Sequence, residues 1–132
     1  PAHRHTPHGG DKVALEAYPG FTARMVCRRS YKSDTAAKQT PDRRANRQAI
    51  LGALVNGRAG LNISLVISAT WRRRLVADGS GDLLDAVICG LQAAHAAALP
   101  GYGFPRQVDP LEGWIASVPD LTTRVSTVPS AG

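Results

Sequence analysis

The chain has 132 residues, 43% of them hydrophobic, which is enough for one domain with its own core. Its net charge of +6 favours a polyanionic partner, although a solvated basic surface would have the same composition. The most apolar run, Leu83 to Leu99, contains Asp85 and is too short and too polar for a membrane span, so we expect a soluble protein. Cys27 and Cys89 have no metal-type spacing, which predicts free thiols in a reducing cytoplasm.

The first part of the chain predicts a lead-in, a strand and a short helix. Residues 1–11, rich in His and Gly, are expected to be a mobile lead-in. The alternation over Val13–Ala17 predicts a strand that ends at Pro19, with Glu16 near its carboxyl end. Helical spacing of apolar and basic residues over Phe21–Arg28 predicts a short helix, followed by a loop.

The middle of the chain predicts a second helix and a second strand. Thr40 and Pro41 are typical of a helix start and Gly57 of a helix end, and the helix between them is amphipathic and basic. Leu61–Ser68 is short, apolar and β-branched, which favours a strand buried on at least one face.

Two further helices and a tail complete the prediction. Ser68 is a suitable N-cap for a short helix, which the Gly79–Gly81 segment separates from a long helix over Asp82–Leu99. Beyond Pro100, Gly and Pro are frequent, and residues 120–132 are expected to be a flexible tail. The order strand, helix, strand, helix predicts an α/β fold with helices packed on a small mixed sheet.

Basic side chains are concentrated between Arg24 and Arg47, where eight Lys or Arg residues face two Asp residues. Such a segment favours contacts with nucleic-acid phosphates, while a solvated helix face is the alternative. The residues predicted to bind nucleic acid are Arg28, Arg29, Lys32, Lys38, Arg43, Arg44 and Arg47.

Three carboxylates are the candidate catalytic residues. Asp82 can be explained as a first-turn acid that favours the helix dipole, and Glu16 as a solvent-facing strand residue. Asp85 is harder to explain, because its helix is apolar on most sides and a buried carboxylate is costly unless it is paired or bound to a cation. Together, Glu16, Asp82 and Asp85 are predicted to hold Mg²⁺ or Mn²⁺, since hard cations prefer oxygen ligands.

Five blocks of sequence resemble the C-terminal half of the domain-of-unknown-function 429 family, described as predicted nucleases of RNase H-like fold. The blocks are VALEAYPG, YKSD with Q and RR downstream, LVADGSGDLLDAVICGLQAA, YGFP and DPLEGWI. The resemblance implies that residues 12–119 are half of an RNase H-like domain. It places Glu16 at the acidic position of the fourth strand, and Asp85, with its neighbour Asp82, at the D-x-x-D-A position of RuvC-type resolvases. The first-strand Asp of such a site would precede Pro1, so the resemblance implies a catalytically incomplete half.

These observations lead to competing hypotheses. The first is a fragment of a Mg²⁺- or Mn²⁺-dependent nuclease that hydrolyses nucleic-acid phosphodiesters. The alternative is a non-catalytic nucleic-acid-binding or structural module, because a fold does not determine a function. A phosphotransferase is third, since the sequence has no Gly-rich phosphate loop of the usual kind. The expected partners are nucleic acid and either a second copy or an N-terminal half that covers the sheet, with no membrane.

Overall fold

The structure is a computed structural model that describes residues 3–5, 12–105 and 115. Two strands come first, β1 (His3–His5) and β2 (Lys12–Ala14). Four helices follow: α1 (Pro19–Val26), α2 (Pro41–Val55), α3 (Ala69–Ala77) and α4 (Asp82–Ala97). Single 3₁₀ turns lie at Ala36–Lys38 and Pro100–Gly103. None of the helices in this described part of the chain combines the length and the hydropathy that crossing a bilayer requires.

The helix starts lie where the capping signals predict them. The Thr40 hydroxyl accepts a hydrogen bond from the Arg43 N–H (3.4 Å), and Pro41 opens α2. The Ser68 hydroxyl likewise accepts from the Trp71 N–H (3.3 Å) at the start of α3. These caps satisfy backbone donors that a first helical turn leaves unpaired. Four helices form where four were predicted, although α1 begins at Pro19, two residues before the predicted start.

The predicted α/β fold with helices on a mixed sheet is wrong, because the structure is mostly helical. Within the described residues, strand pairing is limited to the antiparallel β1–β2 pair and one isolated parallel bridge between Glu16 and Ile115. The helices therefore pack on one another, and the strand-helix-strand-helix core of an RNase H-like domain does not form here. The covering partner, a second copy or an N-terminal half, stays a prediction.

The second predicted strand, Leu61–Ser68, forms no strand in the part of the chain described, and Asn62 within it has φ = 52°, in the left-handed region. Its hydrogen bonds go to helices: the Leu65 N–H donates to the Leu54 carbonyl (2.9 Å), and His95 Nδ1 donates to the Leu61 carbonyl (2.7 Å). Exposure alternates along it, with Leu61 buried and Val66 92% exposed. The prediction of a strand here is therefore wrong, because a short, apolar and β-branched composition does not supply the neighbouring strand that pairing requires.

The hydrophobic core lies where α1, α2 and α4 meet, and the Ala59 and Tyr31 side chains complete it. Its helical members are Ala23, Ile50, Leu54, Leu84 and Ile88. Burying each Leu or Ile side chain stabilises the fold by about 1.5–3 kcal/mol, which makes helix packing the main source of stability.

One buried polar side chain joins α1 to α4. Gln92 is fully buried, accepts a hydrogen bond from the Tyr18 N–H (3.1 Å), and donates to the Tyr18 carbonyl (2.9 Å) and the Thr22 hydroxyl (2.8 Å). Because the amide meets both backbone groups of Tyr18, it fixes the entry to α1 against α4.

The terminal predictions are covered only in part. Within the predicted lead-in 1–11, residues 3–5 pair with residues 12–14 as a strand. The predicted tail 120–132 lies outside the described residues. Cys27 and Cys89 are half-buried, and both thiols are free.

Candidate nucleic-acid interface

The start of α4 is positioned by Asp78. Its carboxylate accepts hydrogen bonds from the Leu83 N–H (2.9 Å), the Ser80 N–H (3.2 Å) and the Ser80 hydroxyl (2.7 Å). Burial alone would raise the pKa of Asp78, but hydrogen bonds from Leu83, Ser80 and Gly81 outweigh it and lower the pKa. The side chain that caps α4 therefore belongs to Asp78, which precedes the helix, and not to the first-turn acid Asp82.

Asp85, one turn into α4, reaches the loop that follows α1. Its Oδ1 accepts a hydrogen bond from the Tyr31 hydroxyl (2.6 Å), and its Oδ2 lies 2.5 Å from Lys32 Nζ. Burial first, and then the hydrogen bond to Asp85, raise the pKa of Tyr31, so its hydroxyl remains a donor. The hydrogen bond to Asp85 is also the main cause that raises the pKa of Lys32. Both carboxylate oxygens are thus occupied by donors of one loop.

Gly81 allows Lys32 to approach α4. It has φ = 77°, in the left-handed region that favours glycine. A Cβ at this position would lie 2.7 Å from the Lys32 Cβ, closer than two carbon atoms can pack. The lysine stem therefore runs directly over the glycine to reach Asp85.

A cleft of about 320 Å³ opens beside this pair, between α1, the following loop and α4. We call it the basic cleft, because Arg24, Arg28, Arg29 and Lys32 line it and Asp85 is the one carboxylate among its described lining residues. Arg24 hydrogen-bonds the Tyr18 hydroxyl and stacks 5.0 Å from the Tyr18 ring centroid. The exposed Arg28 and Arg29 side chains have no hydrogen bond or ion pair with any described residue.

The structure places the predicted phosphate-binding residues in different settings. Arg28, Arg29 and Lys32 line the basic cleft, whereas Lys38 lies exposed in a 3₁₀ turn and Arg44 faces α3.

Arg43 and Arg47 have structural roles instead. Arg43 donates to the Lys32 carbonyl (2.9 Å). Arg47 is only 3% exposed and donates to the carbonyls of Tyr31 (2.6 Å) and Val76 (3.0 Å). Burial lowers the pKa of Arg47. Its guanidinium therefore joins the loop after α1 to the last turn of α3 and is not exposed to a ligand.

The three predicted metal ligands do not form one cluster. Glu16 is exposed at the bridge to Ile115, Asp82 is exposed in the first turn of α4, and Asp85 is paired with Lys32 and Tyr31. No group of three or more His, Cys, Asp or Glu side chains occurs among residues 12–105 and 115. Because a two-metal site needs several converging carboxylates, this donor set does not fit one. The predicted Mg²⁺ or Mn²⁺ cofactor stays a prediction.

Sequence reasoning missed Tyr31, Gln92 and Asp78. No local sequence pattern indicated the contacts of Tyr31 and Gln92, since their partners lie 54 and 74 positions away in sequence. A local pattern was present at Asp78, because Asp-Gly-Ser-Gly is typical of a turn in which the Asp side chain binds backbone N–H groups.

Comparisons of the chain with protein-family models, with curated proteins and with solved structures found no match. The resemblance to the domain-of-unknown-function 429 family therefore stays a prediction.

Proposed function

We propose that the chain binds the phosphate backbone of a nucleic acid in the basic cleft. One observation carries the proposal: four cationic side chains line the cleft, and its single described carboxylate, Asp85, is already paired with two donors. A cleft with this charge attracts a polyanion, because its low-dielectric walls focus the electric field of the cations and raise the local concentration of anions.

The chemistry of the lining suits phosphate. A guanidinium presents a planar fork that bonds two phosphate oxygens, and Arg28 and Arg29 have no described partner with which a phosphate would compete. Tyr18, 41% exposed, adds an aromatic surface of the kind on which nucleic-acid bases stack. These groups support binding without sequence readout, since phosphate contacts carry no base information.

Salt dependence tests the proposal. Fluorescence anisotropy of a labelled mixed-sequence oligonucleotide, single- and double-stranded, is measured with the full chain from about 50 to 200 mM salt. We expect affinity to fall steeply with salt, and Arg28→Ala with Arg29→Ala to weaken binding about tenfold and reduce the salt slope by about 1.5–2.

The matched control is Lys38→Ala with Arg58→Ala, which removes two exposed charges outside the basic cleft. If this control weakens binding as much as the cleft variant, net charge and not the cleft is responsible. Wild-type binding that does not change with salt would also contradict the proposal.

Phosphodiester hydrolysis is the second candidate, and the position of Asp85 inside the basic cleft favours it. Asp85→Asn separates the two functions. For a binding module, removing the carboxylate frees Lys32 and raises oligonucleotide affinity about two- to fivefold, as expected for loss of one exposed charge pair. For a nuclease, wild type cleaves with a divalent cation and the variant does not.

A further inference from the structure

A second cleft, of about 470 Å³, lies between α2 and α3. Three arginines line it: Arg44 from α2, and Arg72 and Arg73 from α3. Leu51 and Val76 contribute apolar lining. We call it the arginine cleft. It shares no lining residue with the basic cleft.

The arginine cleft has no described carboxylate in its lining, and none of its three arginines forms an ion pair within residues 12–105 and 115. The Arg73 guanidinium has one hydrogen bond, to the Thr70 hydroxyl at 3.3 Å. Three neighbouring cations without a compensating anion repel one another. Protein surfaces usually intersperse charges of both signs, which avoids such repulsion. An anion in the cleft would remove this repulsion.

The neighbouring charges are consistent with an anion site. Arg47 bonds the carbonyl of Val76, a lining residue of the cleft. Burial lowers the pKa of Arg47, the Asp78 carboxylate acts in the opposite direction, and Arg44 makes the smallest contribution, which lowers the pKa further. The carboxylate of Asp78 is engaged in capping α4. Arg74, between these arginines and the helix end, stacks on Trp71 with 4.5 Å to the ring centroid.

We propose that the arginine cleft binds a phosphate group with two or more negative charges, such as a phosphate monoester or pyrophosphate, through Arg44, Arg72 and Arg73. Guanidinium forks from two helices approach such a group from two sides and supply bidentate hydrogen bonds. The apolar side chains of Leu51 and Val76 reduce water access, which strengthens charge-assisted bonds. This site is independent of the proposed function, because it uses none of the basic cleft.

Gly52 offers a way to block the site. It lies in the lining of the arginine cleft, and a Cβ added there meets no atom within 4 Å. Gly52→Glu therefore introduces a carboxylate beside the three arginines without a clash at Cβ. Gly52→Ala is the matched control, because it adds only a methyl group and favours the helix.

The test is a titration of the ¹⁵N-labelled full chain with inorganic pyrophosphate at constant ionic strength, followed by NMR of the arginine Nε–Hε groups. We expect saturable shifts at Arg44, Arg72 and Arg73, retained in Gly52→Ala and weakened about tenfold or more in Gly52→Glu. Arg44→Gln with Arg72→Gln serves the same purpose if Gly52→Glu does not fold.

Three results would overturn the inference: shifts that do not saturate, shifts of equal size in the blocked variants, or shifts confined to Arg28 and Arg29. Arg28→Ala with Arg29→Ala should bind pyrophosphate like wild type at the arginine cleft. That variant separates failure of this site from failure of the proposed nucleic-acid interface.

Discussion

The two clefts contain the same kind of cation in different electrostatic settings. In the basic cleft, Asp85 lies between Lys32 and Tyr31 and compensates part of the positive charge. In the arginine cleft, Arg44 and Arg72 have no acidic partner among the described residues. A ligand phosphate would compete with the Asp85 carboxylate for Lys32 in the first cleft and would meet no described carboxylate in the second. Binding in the two clefts should therefore respond differently to loss of an acid.

Helix α2 shows how position divides arginines between structure and surface. Arg43, Arg44 and Arg47 lie within five positions, but successive residues are 100° apart around a helix. Arg43 and Arg47 therefore face the Tyr31–Lys32 loop and bond its carbonyls, whereas Arg44 faces the arginine cleft. The nearest backbone acceptors, and not residue type, decide which arginines can meet a ligand.

The largest effect is expected where both clefts depend on one side chain. Arg47→Met removes the donor to the Tyr31 and Val76 carbonyls, residues that line different clefts. Leaving two carbonyls unpaired should lower the free energy of unfolding by about 3 kcal/mol. Urea unfolding measures this loss, with Arg44→Met, which should change stability by less than about 0.5 kcal/mol, as control. Equal stability of the two variants would show that the buried guanidinium contributes nothing.

A substitution at Gln92 should lower the free energy of unfolding by less and should weaken ligand binding in the basic cleft alone. Gln92→Met keeps the side-chain length but leaves the Tyr18 N–H unpaired and removes one of two donors to the Tyr18 carbonyl, which keeps the Phe21 N–H, at a cost of about 1–2 kcal/mol. Because Tyr18 lines the basic cleft, oligonucleotide affinity should fall while pyrophosphate binding in the arginine cleft is retained. Amide hydrogen exchange at Tyr18 should accelerate. Thr22→Val, which removes only one of the three Gln92 hydrogen bonds, should cost less; an equal cost would argue against this account.

The smallest effect is pH-dependent. Asp78→Ala removes the cap of α4 and should cost about 1–2 kcal/mol near neutral pH. Since the pKa of Asp78 is lowered in the folded state, its stabilisation is present above its ordinary value of 3.8 and is lost as pH falls through the folded pKa. The difference between wild type and variant, measured by urea unfolding, should therefore shrink in acid. Asp82→Ala is the matched control, because it removes an acid of the first turn and leaves the Asp78 hydrogen bonds in place, and it should cost less than Asp78→Ala near neutral pH. A difference between wild type and Asp78→Ala that stays constant with pH would contradict the role of the ionised cap.

The helices could be predicted from sequence because their signals are local. Thr40, Ser68 and Gly81 lie at the helix boundaries, and each acts on backbone within one turn. The sheet could not, since a strand needs a partner distant in sequence. Leu61–Ser68 has the right composition, but its hydrogen bonds run to Leu54 and His95.

The candidate site was predictable in part for a similar reason. The basic segment and the unusual Asp85 were visible in the sequence, and the structure brings Lys32 and Asp85 together across 53 positions. The sequence did not show which arginines are buried. Arg47 is held in the interior by hydrogen bonds to carbonyls of two segments that are distant from each other in sequence.

Gly81 determines two properties that usually depend on different residues: the backbone at the start of α4 and the position of the Lys32 charge. Any side chain at this position would both strain the turn and displace the Lys32 stem that crosses it. A screen of variants would score position 81 as essential for ligand affinity, although the glycine itself has no group with which to recognise one.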